Sequence, residues 1–394
     1  MWGPDAFGPA GCLIAVAIVS WMVLSCTWER LQLSASKRHE VLRGRVVLVT
    51  GGGSGIGAAT CRQLARAGAV VVIWDVQLDA AQAVVRDIAA HGGCAHAWAV
   101  DVTDRQSVSK AATSLRKDLK AEVFALVNNA GIVSGARLLE LRPEQIERTM
   151  GVNVLAHFWT LQEFLPAMLR GACETSCANG RSTRDSDRGG HIVTVASTMS
   201  FSAASGLSDY VASKHAVWGM HECLRLELAQ LHAQGNARVD CECIASYARA
   251  WAPICLHSVL SKNSLHVFPR AGTIICPFAT ATGMFDGIGF PWWSRLFLPI
   301  LDAEYVAAQV VDAIVANRPV VIMPWLLRWL PFVLRALLPV LWLDRCANML
   351  GATTAMDSFV GHSNAPTREA CSRDDRLARR ARSPRRRVHC KTNE

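Results

Sequence analysis

A tyrosine and a lysine lie one helical turn apart in the sequence Tyr-Val-Ala-Ser-Lys. Tyr210 and Lys214 are four residues apart, so on a helix both side chains lie along one face. A phenol ordinarily titrates near pH ~10, and a neighbouring ammonium group favours its ionised form. The pair therefore predicts an acid–base site that exchanges a proton with an alcohol or carbonyl oxygen.

Two further polar residues precede this pair. Ser197 ends an apolar stretch and can hydrogen-bond the same substrate oxygen. Asn153 lies in a segment with helical periodicity and is expected to relay a proton through water to Lys214. A Tyr-x-x-x-Lys pattern alone is common by chance on helices, so the prediction depends on these companions and on the motif that follows.

A glycine-rich turn covers residues 50–57, Thr-Gly-Gly-Gly-Ser-Gly-Ile-Gly. It follows the β-branched run 45–50 and precedes a helical stretch. Gly51, Gly55 and Gly57 allow a tight turn and a close approach of the backbone to a phosphate, while the helix amino end offers free N–H groups. The sequence therefore predicts a dinucleotide site.

Asp75 ends the second apolar strand, about twenty residues beyond the glycines. A carboxylate at that place accepts hydrogen bonds from the adenosine ribose and repels a 2′-phosphate, which favours NAD over NADP. The alternative interpretation of Asp75 is an ordinary helix cap. NADP-linked carbonyl reduction remains the second option for the reaction.

Predicted strands and helices alternate strictly from residue 44 onward. The strands are expected at 45–50, 69–75, 97–102, 123–131 and 191–197, and the helices at 76–90, 143–169 and 210–232. This alternation is typical of an α/β fold with a doubly wound parallel sheet of the Rossmann type.

Two insertions interrupt the alternation. Residues 171–190 are polar and rich in Gly and Ser, which predicts an exposed loop. Residues 240–272 lie where a sixth strand is expected, between 237–239 and the apolar run 273–278. If that strand forms from 273–278, the insertion is accommodated as a loop. An abrupt insertion of this kind is also what a retained non-coding segment would produce, which transcript sequencing would settle.

Taken together, these motifs resemble the short-chain dehydrogenase/reductase family over roughly residues 40–360. Ser197 precedes Tyr210 by thirteen positions, the spacing of that family. Stretches such as 148–169, 190–197 and 276–287 are similar to its membrane-bound group of retinol dehydrogenases of type 10 and 17-beta-hydroxysteroid dehydrogenases of type 11. The resemblance implies a catalytic tetrad of Asn153, Ser197, Tyr210 and Lys214, and a cofactor site of Gly51, Ser54, Gly55, Ile56, Gly57, Asp75, Asp101, Val102, Asn129, Ala130, Gly131, Tyr210, Lys214, Pro277 and Thr282.

The same resemblance implies a reaction and its partners. It implies hydride transfer between NAD, with NADP as the alternative, and a lipophilic alcohol or ketone such as retinol or a hydroxysteroid. A homodimer formed through the two long helices is also implied. The rival hypothesis is a catalytically impaired membrane or lipid-droplet scaffold that keeps the fold. The intact tetrad argues against that rival.

Composition restricts the remaining partners. The formal charge is +9, but residues 367–394 hold ten Lys/Arg against four Asp/Glu and supply +6 of it, so no basic groove for nucleic acid is implied. The fourteen cysteines show no metal-ligand spacing, which argues against a zinc site or a disulfide framework.

An uncharged segment from Ala6 to Trp28 is long enough, at about 34 Å as a helix, to cross a bilayer core. Basic residues follow the segment and none precedes it, which predicts an anchor with the body on the cytoplasmic side, at the endoplasmic reticulum membrane or a lipid droplet. A cleaved signal peptide is the alternative.

Residues 321–343 are rich in Trp, Leu and Pro, with two arginines. They predict a broken amphipathic segment at the membrane interface, and a buried core or dimer helix is the alternative. The predicted organisation is an anchor and linker at 1–39, a catalytic domain at 40–325, a membrane-associated segment at 326–366 and a disordered basic tail at 367–394.

Overall fold

The computed structural model describes residues 35–177, 190–233 and 272–359, apart from positions 286, 292, 295–297, 329 and 358. The predicted anchor 6–28, residues 178–189 of the predicted loop 171–190, residues 240–271 of the insertion 240–272 and the tail 367–394 lie outside these ranges. Among the helices that are described, none is long and apolar enough to cross a membrane.

A parallel sheet of seven strands forms the centre of the molecule. Its order is β3-β2-β1-β4-β5-β6-β7, so the chain winds outward in both directions from the adjacent strands β1 and β4. This confirms the predicted Rossmann-type architecture. Ligands of such sheets bind beyond the carboxyl ends of the strands, where the winding direction changes. The strands are Val46–Thr50 (β1), Val70–Asp75 (β2), Cys94–Ala99 (β3), Ala125–Asn128 (β4), His191–Val195 (β5), Gly272–Pro277 (β6) and Val320–Met323 (β7).

Helices cover both faces of the sheet. They are Ala35–Leu42 (α1), Gly55–Arg66 (α2), Leu78–Ala90 (α3), Arg105–Leu119 (α4), Pro143–Met150 (α5), Ala156–Cys177 (α6), Ser208–Ala233 (α7), Ala303–Ala316 (α8), Leu330–Leu337 (α9) and Val340–Met349 (α10). A π-helical turn, Gly151–Leu155, joins α5 to α6.

Strand side chains alternate between two buried cores. Every residue of β1 is buried. Val47 and Val49 pack with α2, α3 and α8 on one face. Leu48 packs with α4, α6 and α7 on the other, where Trp74 meets Phe164 at 5.4 Å between ring centres. Burial of each such side chain contributes about 2 kcal/mol to folding, which explains why the strands are continuously apolar in the sequence.

The structure corrects four of the predicted elements. Strand β3 is Cys94–Ala99 rather than 97–102, because it pairs residue by residue with all of β2. The helix predicted at 143–169 is broken by the π-turn, and α6 continues to Cys177 into the segment expected to be a loop. Residues 321–323 belong to β7, an edge strand of the sheet, and not to a lipid-facing segment.

Strand β6 does form from the apolar run after the insertion. It pairs with β5 on one side and β7 on the other. The strand is therefore present even though residues 240–271 precede it in the sequence. The carboxyl end of β6 therefore lies beside the site at this edge of the sheet.

Candidate active site

The glycine turn between β1 and α2 forms a cradle that leaves no room for side chains. Gly51 has φ +63°, and a Cβ there would lie 2.9 Å from Cα of Ala130. A Cβ at Gly57 would lie 2.1 Å from the carbonyl oxygen of Gly51. Helix α2 begins at Gly55, so the N–H groups of its first turn point out of the helix without helical acceptors. This cradle fits the pyrophosphate of a dinucleotide.

Asp75 lies at the end of β2, beside the cradle. Its Oδ2 accepts a hydrogen bond from the N–H of Gly53 at 2.8 Å, and its Oδ1 accepts one from Gln77 at 2.9 Å. Carboxylate oxygens accept more than one hydrogen bond, so both retain capacity for ribose hydroxyls. Asp75 is therefore fixed in position rather than acting as the cap of α3, whose N-cap is Gln77.

Residues 129–131 cross from β4 to the same cradle. The side-chain amide of Asn129 donates to the carbonyl oxygens of Thr50 and Gly51 at 3.0 and 3.1 Å. The hydroxyl of Thr50 in turn accepts from the N–H groups of Asn129 and Ala130. Thr50 lies inside the glycine motif, but its role in joining β1 to β4 was not predicted from the sequence.

The outer positions of the predicted cofactor site surround the turn. Asp101 is exposed beyond the end of β3 and accepts from Thr103, while Val102 is buried beside it. On the opposite side, a Cβ at Gly55 would lie 3.2 Å from Cγ2 of Thr282, so the loop after β6 reaches the amino end of α2. Ser54 is exposed as the N-cap of α2, and Ile56 packs against the core.

Ser197 and Tyr210 lie close together at the carboxyl end of β5, where the Ser197 hydroxyl lowers the pKa of the phenol. Ser197 is 7% exposed, accepts from the N–H of Met199 at 3.2 Å, and donates to the carbonyl oxygen of Pro277 at 3.4 Å. Tyr210 is 4% exposed, at the start of α7. Both hydroxyls can therefore hydrogen-bond one substrate oxygen.

Burial dominates the electrostatics of the tyrosine and the lysine. It raises the pKa of Tyr210 to about 12, against the lowering effect of the nearby Ser197 hydroxyl. It lowers the pKa of Lys214 to about 8. The expectation that the neighbouring amine makes the phenol acidic is wrong for these residues by themselves, because the cost of burying the phenolate charge is larger.

Asn153 is fully buried in the π-turn. Its Oδ1 accepts from the N–H of Ile132 at 2.8 Å, and its Nδ2 donates to the carbonyl oxygen of Ile132 and to the hydroxyl of Ser213. A Cβ on Gly131 would lie 3.5 Å from Asn153 Oδ1 and 3.7 Å from Lys214 Nζ. The structure thus brings Asn153 and Lys214 to the same side of Gly131. Ile132 and Ser213 were not predicted, since their partners are distant in sequence.

The sequence pattern of the short chain dehydrogenases matches residues 45–246. Human epidermal retinol dehydrogenase 2 is 32% identical over 328 residues, which cover 82% of this chain and 88% of that protein. This chain belongs to the short-chain dehydrogenase family. Retinol dehydrogenase 10 of Rattus norvegicus is 30% identical and covers 84% of this chain and 89% of its own.

Solved structures of short-chain dehydrogenases share the fold. One from Burkholderia phymatum, in complex with NAD, matches with a TM-score of 0.54 at 22% identity, over 73% of this chain and 92% of that one. Another from Mycobacterium marinum matches with a TM-score of 0.54 at 22% identity, over 74% of this chain and 99% of that one. As a short-chain dehydrogenase, the protein is an NAD(P)-dependent oxidoreductase.

Proposed function

We propose that this short-chain dehydrogenase interconverts a lipid alcohol, such as retinol or a hydroxysteroid, and its carbonyl compound, with NAD as the preferred cofactor. One observation carries the proposal. Ser197 lies close enough to Tyr210 to lower the pKa of its phenol, and Lys214 lies beside both, at the end of the sheet where the glycine cradle lies.

Each residue of this set has a separate task. Ser197 holds the substrate oxygen, and Tyr210 exchanges a proton with it. With a pKa of about 12, Tyr210 is protonated at neutral pH and is ready to donate to a carbonyl. Asn153 holds the backbone of Ile132 next to Lys214. Lys214 in turn supplies the proton path.

A bound nicotinamide would accept or donate the hydride and, when oxidised, would add a positive charge that favours the phenolate for alcohol oxidation. The glycine cradle would hold its pyrophosphate, and Asp75 its adenosine ribose. Asp101 and Val102 would border the adenine. Residues 129–131, Pro277 and Thr282 would line the nicotinamide half, together with Tyr210 and Lys214.

An apolar substrate is favoured by the surroundings of Tyr210. The phenol belongs to a buried cluster with Val133, Leu207 and Met356. Met199, Phe285 and other apolar side chains pack against this cluster. The names of the similar proteins, epidermal retinol dehydrogenase 2 and retinol dehydrogenase 10, point to the same chemical class.

Membrane attachment is the second part of the proposal. The segment 6–28 would anchor the chain at the endoplasmic reticulum membrane or a lipid droplet, with the catalytic domain facing the cytoplasm. The junction of α9 and α10 would lie at the interface, because its large apolar side chains are exposed and Arg345 stacks on Trp342 at 5.2 Å. The exposed side chains are Leu337, Val340, Leu341 and Trp342.

A homodimer through α6 and α7 is the third part. Leu226 of α7 is 52% exposed, Leu155 at the end of the π-turn is 46% exposed, and Phe158 at the start of α6 is 40% exposed. Apolar side chains of this size on two long helices suit a self-complementary interface.

The test uses the full chain purified in detergent. All-trans-retinol and a hydroxysteroid would be assayed with NAD and NADP for the parent, Tyr210→Phe and Tyr305→Phe. Removal of the Tyr210 hydroxyl should lower kcat by roughly 10²- to 10⁴-fold. Tyr305 is 40% exposed on α8, so its variant should keep the parent rate. Equal rates for the parent and Tyr210→Phe would exclude this mechanism.

A further inference from the structure

Substrate access to the catalytic hydroxyls is closed in this structure. Tyr210 and Ser197 are 4% and 7% exposed. The Phe285 and Tyr210 rings pack edge to face, with 5.9 Å between centres and 87° between planes. A bulky alcohol that reaches both hydroxyls must therefore displace apolar side chains that now cover them.

One of the covering side chains comes from a segment near the end of the described chain. Residues 351–357, here named the strap, follow α10 as a series of turns. Met356 of the strap is 9% exposed and belongs to the same buried cluster as Tyr210. A Cβ on Gly206 would lie 3.1 Å from Cβ of Met356, so the strap lies directly on the loop between β5 and α7.

The strap is attached to three different loops around the site. Its Ala352 carbonyl accepts from the N–H of Ser205 at 3.0 Å, and its Ala355 carbonyl accepts from the N–H of Gly289 at 2.9 Å. Asp357 accepts from Arg137 at 3.0 Å, with both side chains more than half exposed. These two backbone hydrogen bonds and the exposed ion pair are polar contacts that can break during turnover, so the burial of Met356 contributes much of what holds the strap closed.

Building on the function proposed above, we infer that the strap is a cover that opens for substrate and that Met356 determines specificity. In the closed state Met356 occupies the space that the apolar part of a bulky alcohol takes when it binds. Met356 and the substrate therefore compete for the same volume. A short alcohol that needs only the space next to Tyr210 and Ser197 does not meet this competition.

This competition predicts a size-dependent effect on KM. For a ligand that binds only the open state, the apparent affinity is reduced by the fraction of protein that is open. Met356→Ala weakens the closed state and should lower KM for all-trans-retinol, or for the hydroxysteroid if that is the alcohol turned over, by about fivefold. KM for 3-methylbut-2-en-1-ol, which has the allylic alcohol group without the apolar tail, should change by less than about twofold.

Two further variants control for folding. Met349→Ala makes the same substitution on α10, where the side chain is 67% exposed, and should leave both KM values unchanged. Asp357→Asn removes the exposed ion pair without disturbing the core and should lower KM for the bulky alcohol alone, by about twofold. Thermal melts of each variant would confirm that the fold is retained.

The outcomes separate this inference from the function on which it depends. A parent enzyme that oxidises no alcohol would contradict the proposed function itself. With an active parent, the inference is overturned if Met356→Ala and Asp357→Asn both leave the KM ratio of the two alcohols unchanged. It is also overturned if KM for the bulky alcohol rises selectively, since Met356 would then bind the substrate rather than compete with it.

Discussion

Lys214 Nζ lies 5.6 Å from the centre of the Tyr210 ring and donates its hydrogen bond to the carbonyl oxygen of Val195 at 3.1 Å. The lysine is thus attached to the end of β5 rather than to the phenol. Both groups are buried, so each side chain favours its neutral form. This arrangement determines the direction in which folding stability changes with pH.

Lys214 should make folding stability rise with pH. Burial lowers its pKa from 10.5 to about 8, so between these values the unfolded chain binds more protons than the folded one. Relative to Lys214→Met, the parent should gain about 1 kcal/mol per pH unit from pH ~8 to ~9.5. Thermal melts at several pH values would measure this gain. Lys110→Met, at an exposed position of α4, is the matched control.

Three buried histidines should make the protein sensitive to acid. Burial lowers the pKa of His157 to about 3, of His191 to about 4 and of His221 to about 3. Their folded pKa values lie below 6.5, so stability is lost as pH falls from 6.5 towards these values. At pH ~5 each buried histidine lowers the free energy of unfolding by up to about 2 kcal/mol, which is a large share of the stability of a typical domain.

The histidine prediction can be tested on a single helix. His221→Gln should lose about 2 kcal/mol less stability than the parent between pH ~7 and ~5. His215→Gln, at an exposed position six residues earlier on α7, should behave like the parent. An acid transition that is the same for both variants would show that other groups cause it.

Asp75 should control the choice between the two nicotinamide cofactors. Asp75→Asn removes the charge and keeps an acceptor oxygen for only one of the two backbone N–H groups, those of Gly53 and Gln77, that now donate to the carboxylate. The ratio of kcat/KM for NAD to that for NADP should fall by about tenfold or more, because repulsion of the 2′-phosphate is removed. Asp79→Asn, at an exposed position in the first turn of α3, tests whether the loss of any nearby negative charge lowers this ratio. A similar fall for that variant would argue against a specific role of Asp75.

The dimer should depend on the exposed leucine of α7. A glutamate at an apolar interface is left buried and unpaired, so Leu226→Glu should give monomers. Light scattering in detergent would measure the protein mass, which should be half that of the parent. Leu139→Glu changes a leucine that is 98% exposed in a loop, so the mass of this variant should equal that of the parent. Monomeric parent protein, or dimeric Leu226→Glu, would contradict the prediction.

The sequence predicted the central architecture well because its signals are local. The glycine turn, Asp75 and the continuous apolar strands each specify their own conformation, and the structure places them as expected. Ser197 also lies beside Tyr210, and its choice came from the thirteen-residue spacing of the family that the sequence resembles; its catalytic role stays a prediction.

What the sequence could not predict depends on distant contacts. Strand β7 looks like part of an apolar membrane segment until its pairing with β6 is known. The raised pKa of Tyr210 depends on burial by residues such as Phe285 and Met356, which are far away in the sequence. Helix α6 extends through Gly171 to Cys177, although its composition there is typical of a loop.

The position of β7 also restricts how the molecule can sit on a lipid surface. In the described part of this connection, Pro324 and the short 3₁₀ turn Trp325–Arg328 separate the end of β7 from the helix pair α9–α10. Since β7 is hydrogen-bonded into the sheet, this connection leaves little freedom for a hinge. A bilayer that receives Trp342 and its neighbours would thereby set the tilt of the whole sheet, and the direction from which an alcohol approaches Tyr210 would follow from the fold itself.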